Sequence, residues 1–135
     1  MDRTVKITGF FLTLLVMAII AYCTLGSDVQ LAPVFTGSFK LGHFLAYTAL
    51  GFLLFICYCS LSRRHPLRRN ILPAVSATLM ASLYGYMGEL CQPFFGRHFA
   101  LYDMFIDTMG ALLGSAFGLV CVVFVCKIEK RGIRG

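Results

Sequence analysis

Four long apolar runs separated by short polar connections organise the chain. They extend approximately over residues 7–25, 41–61, 71–92 and 101–126. At a rise of about 1.5 Å per residue each is long enough to cross the ~30 Å hydrocarbon layer of a bilayer as a helix. The last is long enough to tilt or to emerge among the headgroups. The pattern predicts an all-α protein, a polytopic four-transmembrane-helix bundle forming a single membrane domain over residues 1–135. The first run follows Met1-Asp2-Arg3-Thr4-Val5-Lys6 and has the outline of a secretory signal. Its apolar segment exceeds the ~7–15 residues of a signal core, and it ends Ala21-Tyr22-Cys23-Thr24, with a bulky tyrosine where cleavage needs a small residue. It is read as a retained helix.

Composition agrees with that pattern. The 135 residues are 59% hydrophobic and 13% charged, against about 25% charged in soluble domains, and the mean hydropathy is +0.81. Too little chain remains between the runs for a soluble domain or a nucleotide-binding unit, and no Walker or G-x-G-x-x-G pattern occurs. The net charge of +6 is distributed unevenly. Arg3 and Lys6 precede the first run, Arg63, Arg64, Arg68 and Arg69 lie between the second and third, and Lys127, Lys130, Arg131 and Arg134 follow the fourth. With four alternating spans, those ten of the twelve basic residues fall on one side, which the positive-inside tendency assigns to the cytoplasm together with the N-terminus and C-terminus. Anionic lipid headgroups account for juxtamembrane charge of this kind, so no nucleic-acid partner is implied. Lys40 and Arg97 are the two exceptions, on or beside the opposite connections.

Those exceptions accompany a concentration of polar residues. Lys40, His43 and Tyr47 are three and four residues apart and share a helix face with Gly51. Glu89 and Gln92 share a face at the end of the third run, and Asp103 and Asp107 share one at the start of the fourth. Ionisable side chains are costly within a membrane and mark candidate sites. Ala77, Ala81 and Gly85, and again Gly110, Gly114 and Gly118, form small-xxx-small ladders. These are expected to let the third and fourth helices approach closely and bring Glu89 toward Asp103. The six cysteines all fall within or at the ends of the apolar runs and read mostly as packing residues, Cys23 and Cys91 being the two placed near the same end. Cys57 and Cys59 diverge on a helix and make no metal clip. With no His-x-x-x-His or HExxH spacing and two cations close by, no metal and no other cofactor is expected.

The series Lys40-x-x-His43-x-x-x-Tyr47-x-x-x-Gly51, Glu89-x-x-Gln92, Gly96-Arg97, Asp103 and Asp107-x-x-Gly110-x-x-x-Gly114 resembles, over approximately residues 38–118, the VanZ-like family of small bacterial membrane proteins. It departs at Asp107, where family members often carry Asn, which adds an acidic group here. The family takes its name from a protein associated with low-level resistance to the glycopeptide teicoplanin. The resemblance implies a multi-pass protein of the bacterial inner or plasma membrane. The residues themselves suggest an outward-facing polar pocket for a cell-envelope lipid, a lipid-linked cell-wall intermediate or a related amphiphile. Its candidate ligand-binding residues are Lys40, His43, Tyr47, Glu89, Gln92, Arg97, Asp103 and Asp107, with Lys40 and Arg97 the anion binders. Two other readings stand beside this one. In the first, the module is structural or binds another membrane protein. In the second, it is an enzyme performing hydrolysis or transfer on a lipid-linked substrate, with His43, Glu89 and Asp103 as candidate catalytic groups. No serine or cysteine stands in a recognisable nucleophile setting, which weighs against covalent catalysis.

Overall fold

The computed structural model describes residues 3–25, 38–59, 65–95 and 101–132. Four helices account for nearly all of them: α1 (Arg3–Leu25), α2 (Ser38–Tyr58), α3 (Pro66–Cys91) and α4 (Leu101–Gly132), with a 3-10 turn over Gln92–Phe95 closing α3. No strand occurs among the described residues. Each helix contains a stretch long and apolar enough to span a membrane: Thr4–Leu25, Leu41–Tyr58, Pro66–Phe94 and Leu101–Glu129.

The helices are offset from the apolar runs that announce them. α1 starts at Arg3 and α2 at Ser38, while α4 continues to Gly132. Backbone hydrogen bonding does not stop where apolarity stops, so polar flanks join the helix in the headgroup zone. α2 ends at Tyr58, before the expected boundary, and Ser60 and Leu61 lie outside the described residues. The largest difference is at α3, which begins at Pro66 rather than near Ile71. Proline suits the first helical position because its fixed φ is already helical and its missing N–H would have had no partner there. His65 turns the chain into it with a left-handed φ of 51°, and its carbonyl accepts the Arg69 N–H at 3.2 Å. Arg68 and Arg69, expected in a loop, therefore ride on the first turns of α3.

Cross-helix pairings give the chain direction. Along α1, Thr13 meets Cys57 of α2 while the later Ile20 packs with the earlier Tyr47 and Leu50, and along α3, Thr78 meets Ser115 of α4 while the later Gly85 meets the earlier Asp107, so α1 and α2, and α3 and α4, run antiparallel. The starts of α2 and α4 consequently share one end of the bundle with the end of α3. The core is layered along that axis. Phe55, Cys59, Ala74, Ala77, Val122 and Cys126 form one apolar cluster, and Ile20, Tyr47, Leu50, Ala81 and Ala111 form a second. The Thr78–Ser115 hydroxyl pair, 2.6 Å apart, joins α3 to α4 alongside them. Cys23 and Cys91 are not joined by a disulfide.

The glycine ladder of α4 faces a different neighbour from the one its sequence suggests. A methyl at Gly110 would stand 2.6 Å from the Phe44 carbonyl oxygen, and one at Gly118 would stand 2.5 Å from the Phe55 ring. At Gly114 it would run into the Thr48 carbonyl. All three lie against α2. From the α2 side Gly51 presses on the Ala111 backbone, its Cα 2.9 Å from where a methyl would sit. The tight seam is therefore α2–α4, two parallel helices, rather than α3–α4. Spacing reveals that a face is small, but not which partner lacks the bulk to keep away. Gly51 on α2 supplies that complementarity.

Candidate polar site

The α2–α4 seam fixes what lies just beyond it. Gly110 follows Asp107 by three residues, and Phe44, which it meets, follows His43 by one. Backbone contact at that level brings the two side chains together. His43 Nδ1 lies 3.2 Å from Asp107 Oδ1, the imidazole 12% exposed and the carboxylate 2%. An ionised carboxylate only accepts, so in that state Nδ1 carries the donated hydrogen. Asp107 is six residues from the start of α4, about 9 Å along the axis, which places the pair below the bundle's end.

One turn along α2, Tyr47 is 2% exposed and lies parallel to the His43 ring, with centroids 6.3 Å apart at 14°. The third wall comes from α3. A methyl at Gly85 would stand 3.0 Å from Asp107 Oδ2 and 3.1 Å from Tyr47 Cε1, so the absence of a side chain there lets α3 close over both groups. One turn further, Glu89 is 1% exposed, and the Gln92 amide donates to its Oε1 at 2.5 Å. Gln92 is itself buried, at the first position of the 3-10 turn. Asp103 is partly buried, one turn nearer the start of α4 than Asp107. Asp107, Asp103 and Glu89 all act electrostatically on the His43 imidazole, and Asp107 and Glu89 act on Tyr47. The acids and the histidine thus occupy one neighbourhood. A buried carboxylate is costly unless a cation or a proton meets it, and His43, in contact with Asp107, can supply either.

Of the residues singled out by sequence, His43, Tyr47, Glu89, Gln92, Asp103 and Asp107 gather at this end. Lys40 occupies the first turn of α2, three residues before His43, while Arg97 lies outside the described residues. Among the described residues no three His, Cys, Asp or Glu side chains form a group able to hold a metal ion. Gly85 is the contributor that sequence assigned only to helix contact. The signal was its place one turn before Glu89, where small size admits a neighbour's polar group as readily as its backbone. Tyr84 was also missed. Its hydroxyl donates to the Met17 carbonyl at 2.6 Å and ties α1 to α3.

Four helices long and apolar enough to cross a membrane, with a buried histidine–carboxylate contact near one end, define a multi-pass membrane protein whose polar groups gather at one end of the bundle. The arrangement can exchange protons and accept or donate hydrogen bonds. The VanZ/LLP1 family model matches residues 5–124, which covers α2 and α3 and most of α1 and α4, and the chain belongs to that family. No curated protein and no solved structure matches it.

Proposed function

We propose that the polar end of the bundle faces away from the cytoplasm of a bacterial inner or plasma membrane and binds the phosphate of a cell-envelope lipid or a related amphiphile. The observation that carries this reading is the convergence of His43, Tyr47, Glu89, Gln92 and Asp107 from three helices at one end of an otherwise apolar bundle. In this reading Lys40 and Arg97 meet the anion, Arg97 bidentately and Lys40 as a point charge. His43, held by Asp107 through Nδ1, offers a further donor, and the apolar helix faces beneath accommodate the lipid chain. The concentration of ten basic residues at the other end supports the orientation. Labelling of Gly96→Cys by an impermeant thiol reagent from outside intact cells is the expected result, and labelling only from the cytoplasmic side would reverse the threading.

A second reading, an interhelical network that only fixes helix register or serves a partner protein, draws on the way Gln92 satisfies Glu89 and His43 satisfies Asp107 within the chain. The two separate on one experiment. Detergent-solubilised protein is heated with and without a polyprenyl phosphate or a bacterial phospholipid extract. Under the binding reading the lipid raises the unfolding temperature of the wild type, and Lys40→Ala and Arg97→Ala remain folded but lose that increment. Under the network reading the lipid gives no increment that depends on these residues. If the site also catalyses hydrolysis or transfer, mass spectrometry of the lipid after incubation shows a product that Glu89→Gln does not form.

A further inference from the structure

At the opposite end of the bundle, Tyr58 of α2 and Leu72, Pro73, Ser76 and Met80 of α3 line an open groove of about 420 Å³ on the outer surface. That volume is within the ~300–1,000 Å³ typical of small-ligand sites, and the groove lies outside the polar cluster. Its position on α3 is informative. At about 100° per residue, Arg68, Arg69, Leu72, Pro73, Ser76 and Met80 fall within an arc of roughly 140°, so the two arginines sit directly above the groove on one helix face. Both are exposed. From Arg69 to Met80 is about 16 Å along the axis, which is half the ~30 Å hydrocarbon thickness, or one leaflet. The inward face of α3 is a different one, carrying Asn70, Ala74, Ala77 and Ala81, so the groove is not a seam between buried surfaces. Tyr58 ends α2 with 45% of its surface exposed, at the level where tyrosine's polar tip meets the glycerol region of a bilayer.

We infer that this face binds an anionic diacyl phospholipid of the adjoining leaflet, with its phosphate against Arg68 and Arg69 and one acyl chain lying along Leu72, Pro73, Ser76 and Met80. Charge above and an apolar channel one leaflet deep below match the two halves of such a lipid. A zwitterionic lipid gains the channel but its ammonium offsets the attraction of its phosphate to the arginines, and a free phosphate gains only the arginines. The site shares no residue with the polar end of the bundle and holds whether or not that end binds a ligand.

The chain contains no tryptophan, so Tyr58→Trp introduces a single reporter at the groove. In neutral detergent, phosphatidylglycerol with brominated acyl chains should quench that fluorescence saturably. Its apparent affinity should exceed that of brominated phosphatidylcholine by about thirtyfold, the effect expected of two cations near a membrane surface. Adding Arg68→Gln and Arg69→Gln should erase the preference. Adding Ser76→Phe, which fills the groove, should abolish saturable quenching by either lipid, whereas Lys40→Ala should leave it unchanged. Equal quenching by the two lipids overturns the proposal, as does full competition by soluble glycerol phosphate or a preference that survives the arginine replacements. The lipid comparison in the Tyr58→Trp protein decides the matter even if a further variant does not fold.

Discussion

The α2–α4 seam predicts a steep difference between chemically identical substitutions. At Gly114 an added methyl would collide with the Thr48 carbonyl oxygen and stand 2.8 Å from the Thr48 carbonyl carbon and 2.9 Å from the Phe52 nitrogen. Carbon atoms rest at about 3.5–4.0 Å, so the helices must part by at least about 0.7 Å. Overfilling a close-packed interface costs about 1–3 kcal/mol. Parting also draws His43 from Asp107, which at 3.2 Å are already at the long limit of a hydrogen bond, a loss of ~0.6–1.7 kcal/mol by membrane-protein precedent. Alanine's better helix propensity returns about 1 kcal/mol. Gly114→Ala is therefore expected to destabilise the bundle by about 0.6–3.7 kcal/mol. Gly42 is the internal control, since a methyl there meets nothing within 4 Å, and Gly42→Ala should be neutral or stabilising by up to ~1 kcal/mol. Unfolding in mixed micelles with increasing SDS, followed by far-ultraviolet circular dichroism, measures both. A Gly114→Ala protein as stable as Gly42→Ala would refute the parallel glycine seam, and with it the geometry that brings His43 to Asp107.

Substitutions at three other positions probe single interactions in the same assay. Asp107→Ala leaves His43 without its carboxylate and is expected to cost ~1–2 kcal/mol, whereas Asp107→Asn keeps the shape and an acceptor oxygen and should cost about half as much; equal losses would show that shape and hydrogen bonding are irrelevant there. Tyr84→Phe removes the 2.6 Å bond to the Met17 carbonyl and should lower stability by about 1 kcal/mol, with α1 more open to protease; an unchanged protein would show that this bond does not hold α1 in place. Ser82 Oγ is buried without a hydrogen-bond partner among the described residues, so Ser82→Ala should be neutral or stabilising by up to ~1 kcal/mol, and a loss above that size would point to a partner for the hydroxyl.

The number of helices was legible because hydrocarbon thickness imposes a length, and every segment meeting it became a helix. The ends were less legible, as at α3, where Pro66 starts the helix five residues before the apolar run. Helical periodicity placed His43 with Tyr47, Glu89 with Gln92, and Asp103 with Asp107, because residues three and four apart share a face in any helix. It did not give the neighbour of each face. The glycines at 110, 114 and 118 look equally suited to α3 or α2, and the decision rests on Gly51, whose missing side chain lets the Ala111 backbone in. Likewise the sequence supplied the acids and the cations without their pairing, whereas the structure sets the His43 imidazole against the Asp107 carboxylate.

That contact gives the departure at Asp107 a physical setting. Asparagine could hydrogen-bond His43 but would carry no charge to hold a proton on the imidazole. The Asp107 side chain, 2% exposed, lies in direct contact with the His43 imidazole. Its burial is tolerable because the α2–α4 glycines fix that contact, and Gly85 lets α3 cover it from the third side. The small residues and the ionisable ones are therefore one device. Enlarging a glycine and neutralising the aspartate should both loosen the polar end, but only the first should also separate Phe55 from Gly118 in the apolar layer beneath, so disulfide cross-linking between engineered cysteines at those two positions would distinguish a widened seam from a lost charge.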